Sequence, residues 1–267
     1  MRKFLLLILV SISIHTLAQN GWHIKTRFYN EFENPANARI EEVFLQNSFM
    51  KMVAGDVTTI FDVGKSEIIY YNTNNQTYWK GNPDRFNVEV RAELEVMIEE
   101  KLNGVEADQK EAMRQVYYEM LNASFPESMD TEVEHRDFSA QKGGAGEKVS
   151  GFSTIVYNIY EGGMPLETIW VAPTLQIAND FDFVSLSQFL NQLARGAYAA
   201  SFESSQEYFD MIQVGYPVKI EMTKSDGYTY VSEVVEATRI SMNANDFSLP
   251  TGYTPGTLSD VGVWNGF

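Results

Sequence analysis

Once residues 1–18 are set aside, two histidines remain, His23 and His135. With the carboxylates, they are the side chains best able to hold a metal or move a proton. His135 lies in Glu132-Val133-Glu134-His135-Arg136-Asp137. On a strand, His135 and Asp137 share one face while Glu134 and Arg136 point to the other. Two ligands spaced in this way can begin a metal site, but a zinc-like site needs at least three, and no third donor is visible. A polar, half-exposed strand accounts for the segment, and no metal is expected. The adjacent acids Asp180/Asp182 and Glu99/Glu100 could do acid–base work of the glycoside-hydrolase kind, with their separation in space deciding the chemistry. In a chain with 36 acidic residues such pairs arise by chance. Asp180 and Asp182 also precede a helical pattern, where carboxylates cap free backbone N–H groups.

Recognisable catalytic motifs do not occur. There is no HExxH, GxSxG or GxxxxGK, and no GxGxxG following a strand. The glycines of residues 143–146 read as a flexible loop, with no helix directly after them to complete a phosphate cradle. The absence of cysteine removes disulfides, thiolate metal sites and cysteine nucleophiles. No cofactor is expected. A binding role leads, and a hydrolase using paired carboxylates comes third, behind an interaction module.

The elements that must position any site are short strands. Residues 48–55, 58–62, 67–72 and 76–81 read SFMKMVAG, TTIFD, EIIYYN and QTYWKG, with turn cues at the breaks. Bulky neighbours such as Tyr70-Tyr71 and Tyr78-Trp79 place large apolar groups on both faces of this sheet. One face must meet helices; the other must meet a ligand, a partner or solvent. Phe49, Phe61, Tyr71, Trp79, Tyr157 and Trp170 are therefore the candidate ligand-binding residues, with core packing as the alternative for each.

Other strands are expected at 22–32, 40–46, 131–139, 153–160, 166–172, 218–223 and 228–240. Between residues 88 and 121 the apolar spacing turns helical, with Asn103-Gly104 dividing two helices. Their charged positions, Glu93, Glu99, Lys101 and Arg114 among them, read as a solvated face. Two further helices are expected at 183–194 and 202–214, and the stretch after Pro255 is expected to be loose. No internal repeat and no linker divide the chain.

Arg2 and Lys3, the apolar run 4–14 and Thr16-Leu17-Ala18 have the form of an export signal cleaved near Ala18. The run is too short to cross a bilayer as a helix, and without cysteine no lipid can be attached through a thiol. The expectation is one domain over residues 19–267, periplasmic or secreted, with a helical insert at about 88–121 and no transmembrane segment. The net charge of −16, or −18 without Arg2 and Lys3, repels phosphate backbones, so no nucleic-acid partner is expected.

Residues 48–81, with Ile60-Phe61-Asp62, Tyr70-Tyr71-Asn72 and Thr77-Tyr78-Trp79, resemble the centre of a domain of unknown function found in secreted and periplasmic bacterial proteins. Residues 149–173 (VSGFSTIVYNIYEGGMPLETIWVAP), 215–222 (GYPVKIEM) and 245–255 (NDFSLPTGYTP) resemble its second half. The resemblance covers most of residues 40–255, the insert excepted. The family is similar to the lipoprotein-localisation factor (LolA/LolB-like) superfamily. It implies an α+β, mainly β fold, in which a curved antiparallel half-barrel sheet wraps around helices and holds acyl chains in its concave face. Eight to eleven strands are expected, with helices against the concave side. The implied function is a non-enzymatic envelope protein binding a lipid, acyl chain or other apolar small molecule. The alternative is a module that binds another envelope protein through a sheet edge or the helical insert.

Overall fold

The computed structural model describes residues 19–124, 136–193, 201–224 and 227–263. The export segment 1–18, His135 and most of the strand expected at 131–139 lie outside them. Twelve strands form one open sheet. Counted from its middle, β1 (Gln19–Asn30) is flanked by β2 (Arg39–Gln46) on one side. From there the sheet runs outward through β3 (Phe49–Ala54), β4 (Val57–Asp62), β5 (Glu67–Asn72) and β6 (Thr77–Gly81). On the other side of β1 lies β11 (Thr229–Met242). Beyond it come β10 (Tyr216–Thr223), β9 (Met164–Ala172), β8 (Ile155–Glu161) and the edge strand β7 (Phe138–Ala145). A two-residue β12 (Thr254–Pro255) pairs parallel with β6; the other pairings are antiparallel. Short connections and alternating apolar positions make adjacent strands neighbours in the sheet on the β2–β6 side. Bulges at Lys25/Thr26, Ile159/Tyr160 and Pro217/Lys219 bend it.

The helices are α1 (Pro83–Asn103), α2 (Ala107–Ser124), α3 (Phe183–Leu193) and α4 (Gln206–Val214). α1 starts five residues before the periodicity suggests, because Asn82 caps it and Pro83 occupies the first turn, where a missing N–H costs nothing. The Asn82 side chain accepts the Arg85 N–H at 2.9 Å.

α1 and α3 cover the inner, concave face. Phe86 and Val90 of α1, and Leu186 and Phe189 of α3, pack on Trp22, Ile24, Leu45, Phe61, Ile68 and Trp79. Further along the same face, Phe202 and Met211 cover Tyr157, Ile159, Ile169 and Val171. α2 leans on α1, tied by Arg114 to Glu99 and by Arg91 to Asn122. The insert therefore divides its work: its first helix fills the concave face and its second stands outside it.

The outer face of the β2–β6 half is covered by the chain itself. Ile60, Ile69, Tyr71 and Met242 meet Phe247, with Leu249 and Tyr253 beside them. The chain then adds β12 to the open edge of β6 and returns to the inner core, where Leu258 and Val261 are fully buried. Side chains anchor this return: Glu93 accepts from the Leu258 N–H (3.0 Å) and the Ser259 hydroxyl (2.6 Å), and Asn75 donates to the Asp260 carbonyl (2.7 Å). The tail beyond Pro255 is thus a packed strap as far as Val263, contrary to the looseness its composition suggests.

The glycines at 143 and 144 also depart from expectation. They belong to β7 rather than to a loop. Gly143 lies where an added Cβ would come within 3.2 Å of the Val156 carbonyl oxygen, so a side chain there would crowd β8. β7 and β12 bring the count to twelve, one above the expected range.

Candidate functional site

Strand register divides the six candidate ligand-binding residues evenly between the two faces of the sheet. Phe61, Trp79 and Tyr157 point inward, and Phe49, Tyr71 and Trp170 outward. Tyr157 stands opposite Ile169, whereas Trp170 stands opposite Val156, so these two aromatics of one hairpin never share a wall. Each is engaged in packing. Phe61 meets Phe189 (ring centroids 5.3 Å), Trp79 meets Phe86 (5.8 Å), Tyr71 meets Tyr253 (5.2 Å) and Phe49 meets Phe247 (5.2 Å). Trp170 lies under the Lys219 ammonium at 4.5 Å. Phe49 borders a cavity of about 300 Å³ that Phe247 and Leu249 also line. No common site unites them, because the helices and the strap supply what a ligand was expected to supply.

An open volume lies at one end of the sheet, beside α3 and α4. A cleft of about 500 Å³ opens between the β2–β3 turn, the loop 177–182, the first turn of α3 and the last turns of α4. Its buried floor is Phe181 and Ile212; Phe183, Val184 and Phe209 form the walls. Val184 is half exposed and sits on the rim. Asn47, Ser48, Asn179, Asp180, Asp182 and Gln213 also line it, and among the described residues no lysine or arginine does.

Each wall has a local cause. Asn47 adopts φ +53°, a left-handed conformation that asparagine tolerates. There its N–H donates to the Asp180 carbonyl (3.0 Å), and its carbonyl accepts the Asp182 N–H (3.3 Å). These two bonds staple loop 177–182 to the turn. The Asp180 carboxylate accepts the Trp22 indole N–H at 2.8 Å and an Arg239 guanidinium N–H. Burial pushes this carboxyl up, but the bonds from Arg239 and Trp22 outweigh it and hold it below the usual range. Asp182 caps α3, accepting from the Ser185 N–H (3.0 Å) and hydroxyl (2.6 Å), and these bonds hold it down as well. The capping role expected for this pair belongs to Asp182 alone. Both acids are committed to structure as charged acceptors, the state least suited to a general acid. Glu99 is likewise bound to Arg114, at 3.1 Å.

One carboxylate escaped the sequence reading. Glu167 is buried on β9, on the same face as Ile169. Burial, with a smaller contribution from the Glu203 charge, pushes its carboxyl up to about 7. Nothing local marks it, since it sits in an ordinary strand alternation; its burial comes from the return of residues 202–214 across the sheet. Among the described residues no group of three or more His, Asp or Glu side chains could hold a metal ion. No helix among them is long and apolar enough to cross a membrane.

A family model, domain of unknown function (DUF4412), matches residues 72–253. A search of the curated proteins finds no match to the sequence. Among solved structures the chain is similar to PNGF-II, with 11% identity and TM-score 0.38 over 91% of this chain and 33% of that one. It is similar to MucB of the Pseudomonas aeruginosa MucA/MucB complex, with 10% identity and TM-score 0.32 over 89% and 57%. It is also similar to a LolA superfamily protein from Nitrosomonas europaea, with 4% identity and TM-score 0.26 over 86% and 90%. The chain thus spans a third of the length of PNGF-II and just over half that of MucB. The family match agrees with the domain of unknown function that the sequence resembles.

Proposed function

This chain belongs to the DUF4412 family, and from that premise we propose that it is a non-enzymatic binding protein of the cell envelope. In this reading it takes an apolar ligand, such as an acyl chain or a comparable small molecule, into the cleft between loop 177–182 and α4. The observation that carries the reading is the cleft itself. Its volume of about 500 Å³ suits a small ligand, and Phe181, Phe183, Val184, Phe209 and Ile212 give it apolar surface beside a polar half of its lining. Asp180 and Asp182, which line it, are occupied as acceptors, which argues for holding a ligand rather than transforming it. The filled concave face moves the site away from the middle of the sheet, where an acyl-holding half-barrel was expected to have it. The export signal read in residues 1–18 supports an envelope or secreted location.

Native mass spectrometry of the protein purified from its own envelope tests this, followed by organic extraction of whatever travels with it. The expected result is a stoichiometric apolar molecule that Phe209→Asp, which puts a charge in the cleft wall, abolishes. An empty protein that also fails to enhance the fluorescence of an acyl probe would overturn the proposal. A second reading, an interaction module, is favoured by one observation: Val88 and Val96 on α1, and Val116 and Met120 on α2, are each more than half exposed.

A further inference from the structure

The β1–β2 hairpin ends, far from Trp22 along β1, in a second cavity of about 520 Å³. Phe28 and Tyr230, which register puts on one face of the sheet, give it aromatic surface, Tyr29 turns to the other face, and Glu33, Asn37 and Arg39 are among its lining. The rings are held in place. The Arg39 guanidinium lies 5.5 Å over Phe28, and Arg27 lies 5.6 Å from Tyr29. The Tyr29 hydroxyl donates to Glu233 at 3.1 Å. Near the same tip, Phe32 and Tyr228, from two different turns, meet edge to face at 5.5 Å. Phe32 is 75% exposed and Tyr228 45%, the former among the most exposed large apolar side chains described. The Phe32 N–H is fixed by the Asn30 side chain at 3.0 Å, so this exposed ring stands on a shaped turn.

We propose that this tip is a binding site for a neutral oligosaccharide, independent of the cleft at the other end of the sheet. A pyranose ring presents a flat C–H face bordered by hydroxyls. The C–H face stacks on aromatic rings through dispersion and weak C–H donors. The hydroxyls need donors and acceptors around the rim of those rings. A carboxamide offers both, a guanidinium offers donors and a carboxylate offers acceptors. Glu33, Asn37 and Arg39 are one of each, lining the same cavity as the Phe28 and Tyr230 rings. A lipid tail fits this surface poorly, because covering the rim would strip water from amide and charged groups without replacing their hydrogen bonds. Arg39 is paired with Glu41 at 2.7 Å, and a chain of net charge −16 repels an acidic glycan, which leaves a neutral one.

Titration of the ¹⁵N-labelled protein with cellohexaose, chitohexaose and maltohexaose, each followed by amide chemical shifts, tests the proposal. The expected result is saturable movement at Phe32, Asn37, Arg39 and Tyr228 with at least one of them. Phe32→Ala combined with Tyr228→Ala weakens that binding by about tenfold or more. The melting temperature is expected to stay put, since both rings are exposed. Absence of saturable shifts with all three sugars at millimolar concentration overturns the proposal, and so does binding that the double variant leaves unchanged.

Discussion

Trp22 on the central strand donates its indole N–H to the Asp180 carboxylate at 2.8 Å, across 158 positions of sequence. Arg239, on the neighbouring strand, meets the same oxygen and lies 5.3 Å over the Trp22 ring. One acid thereby ties the loop that walls the cleft to the middle of the sheet. Hydrogen bonds to a charged group contribute about 1.5–3 kcal/mol, so Asp180→Ala is expected to lower stability in urea by roughly that amount. Asp180→Asn, which keeps an acceptor but not the charge, costs less. Because the folded carboxyl is held below its ordinary value of 3.8, its contribution is present above that pH. It fades as the pH falls through the lowered folded value. An Asp180→Asn protein whose acid-unfolding profile matches the parent's would contradict this assignment.

Glu167 titrates with the opposite sign. Its folded value is raised from 4.5 to about 7. The folded protein therefore favours the neutral acid, and its contribution is fully present below pH 4.5. As the pH climbs, the unfolded chain ionises first and stability declines until Glu167 itself ionises near pH 7. The loss amounts to no more than about 3 kcal/mol. Glu167→Gln should flatten the stability–pH curve across this window and raise stability at pH 8. A parent protein with no such slope would count against the burial argument.

The strap should behave as structure rather than as a tail. Leu258 is fully buried, and Leu258→Ala is expected to cost about 2–5 kcal/mol, the usual range for emptying a core leucine site. Glu93→Ala releases the Leu258 N–H and the Ser259 hydroxyl together. It should speed hydrogen exchange across residues 257–263 more than elsewhere. Uniform acceleration throughout the sheet would mean that the strap opens only when the whole domain does.

Gly215, between α4 and β10, tests how α4 is seated. Its backbone is extended, with φ 166°, so conformation does not demand glycine. Space does: an added Cβ would overlap the Ala172 carbonyl and come within 2.7 Å of the Pro173 Cα. Gly215→Ala must push α4 off the end of β9 and is expected to destabilise by about 1–3 kcal/mol. Since Phe209 and Ile212 ride on α4, the variant should also weaken occupancy of the cleft. Unchanged stability would show that α4 can shift freely.

The parts of this fold visible beforehand are those with a local period. Tyr70-Tyr71 and Tyr78-Trp79 announce a sheet apolar on both sides, and both sides are apolar. Asn103-Gly104 announces the break between α1 and α2. What stayed hidden is who covers each face. Phe247, Leu249, Tyr253, Leu258 and Val261 are scattered among Gly, Pro, Ser and Thr without a period; the first three meet Tyr71 from nearly 200 residues earlier, and the last two join the inner core. Counting aromatics thus detected a surface in need of a cover but assigned that cover to a ligand. The cleft was hidden for the same reason. Phe181, Phe209 and Asn47 come from three separate segments, and the staple between Asn47 and loop 177–182 joins two of them.

The position of β1 has a consequence for the order of events in folding. The first strand of the sheet lies at its centre, and one of its two neighbours is β11, made of residues 229–242. A growing or translocating chain can zip β1 to β6 from local hairpins early. Yet Trp22 and Ile24 keep one bare backbone edge until almost the entire polypeptide has arrived. For that interval the protein is a half-sheet with a sticky margin, the kind of species that pairs with its neighbours at high concentration. A chain arranged in this way gains from emerging slowly, one molecule at a time, and from closing its sheet last at the centre.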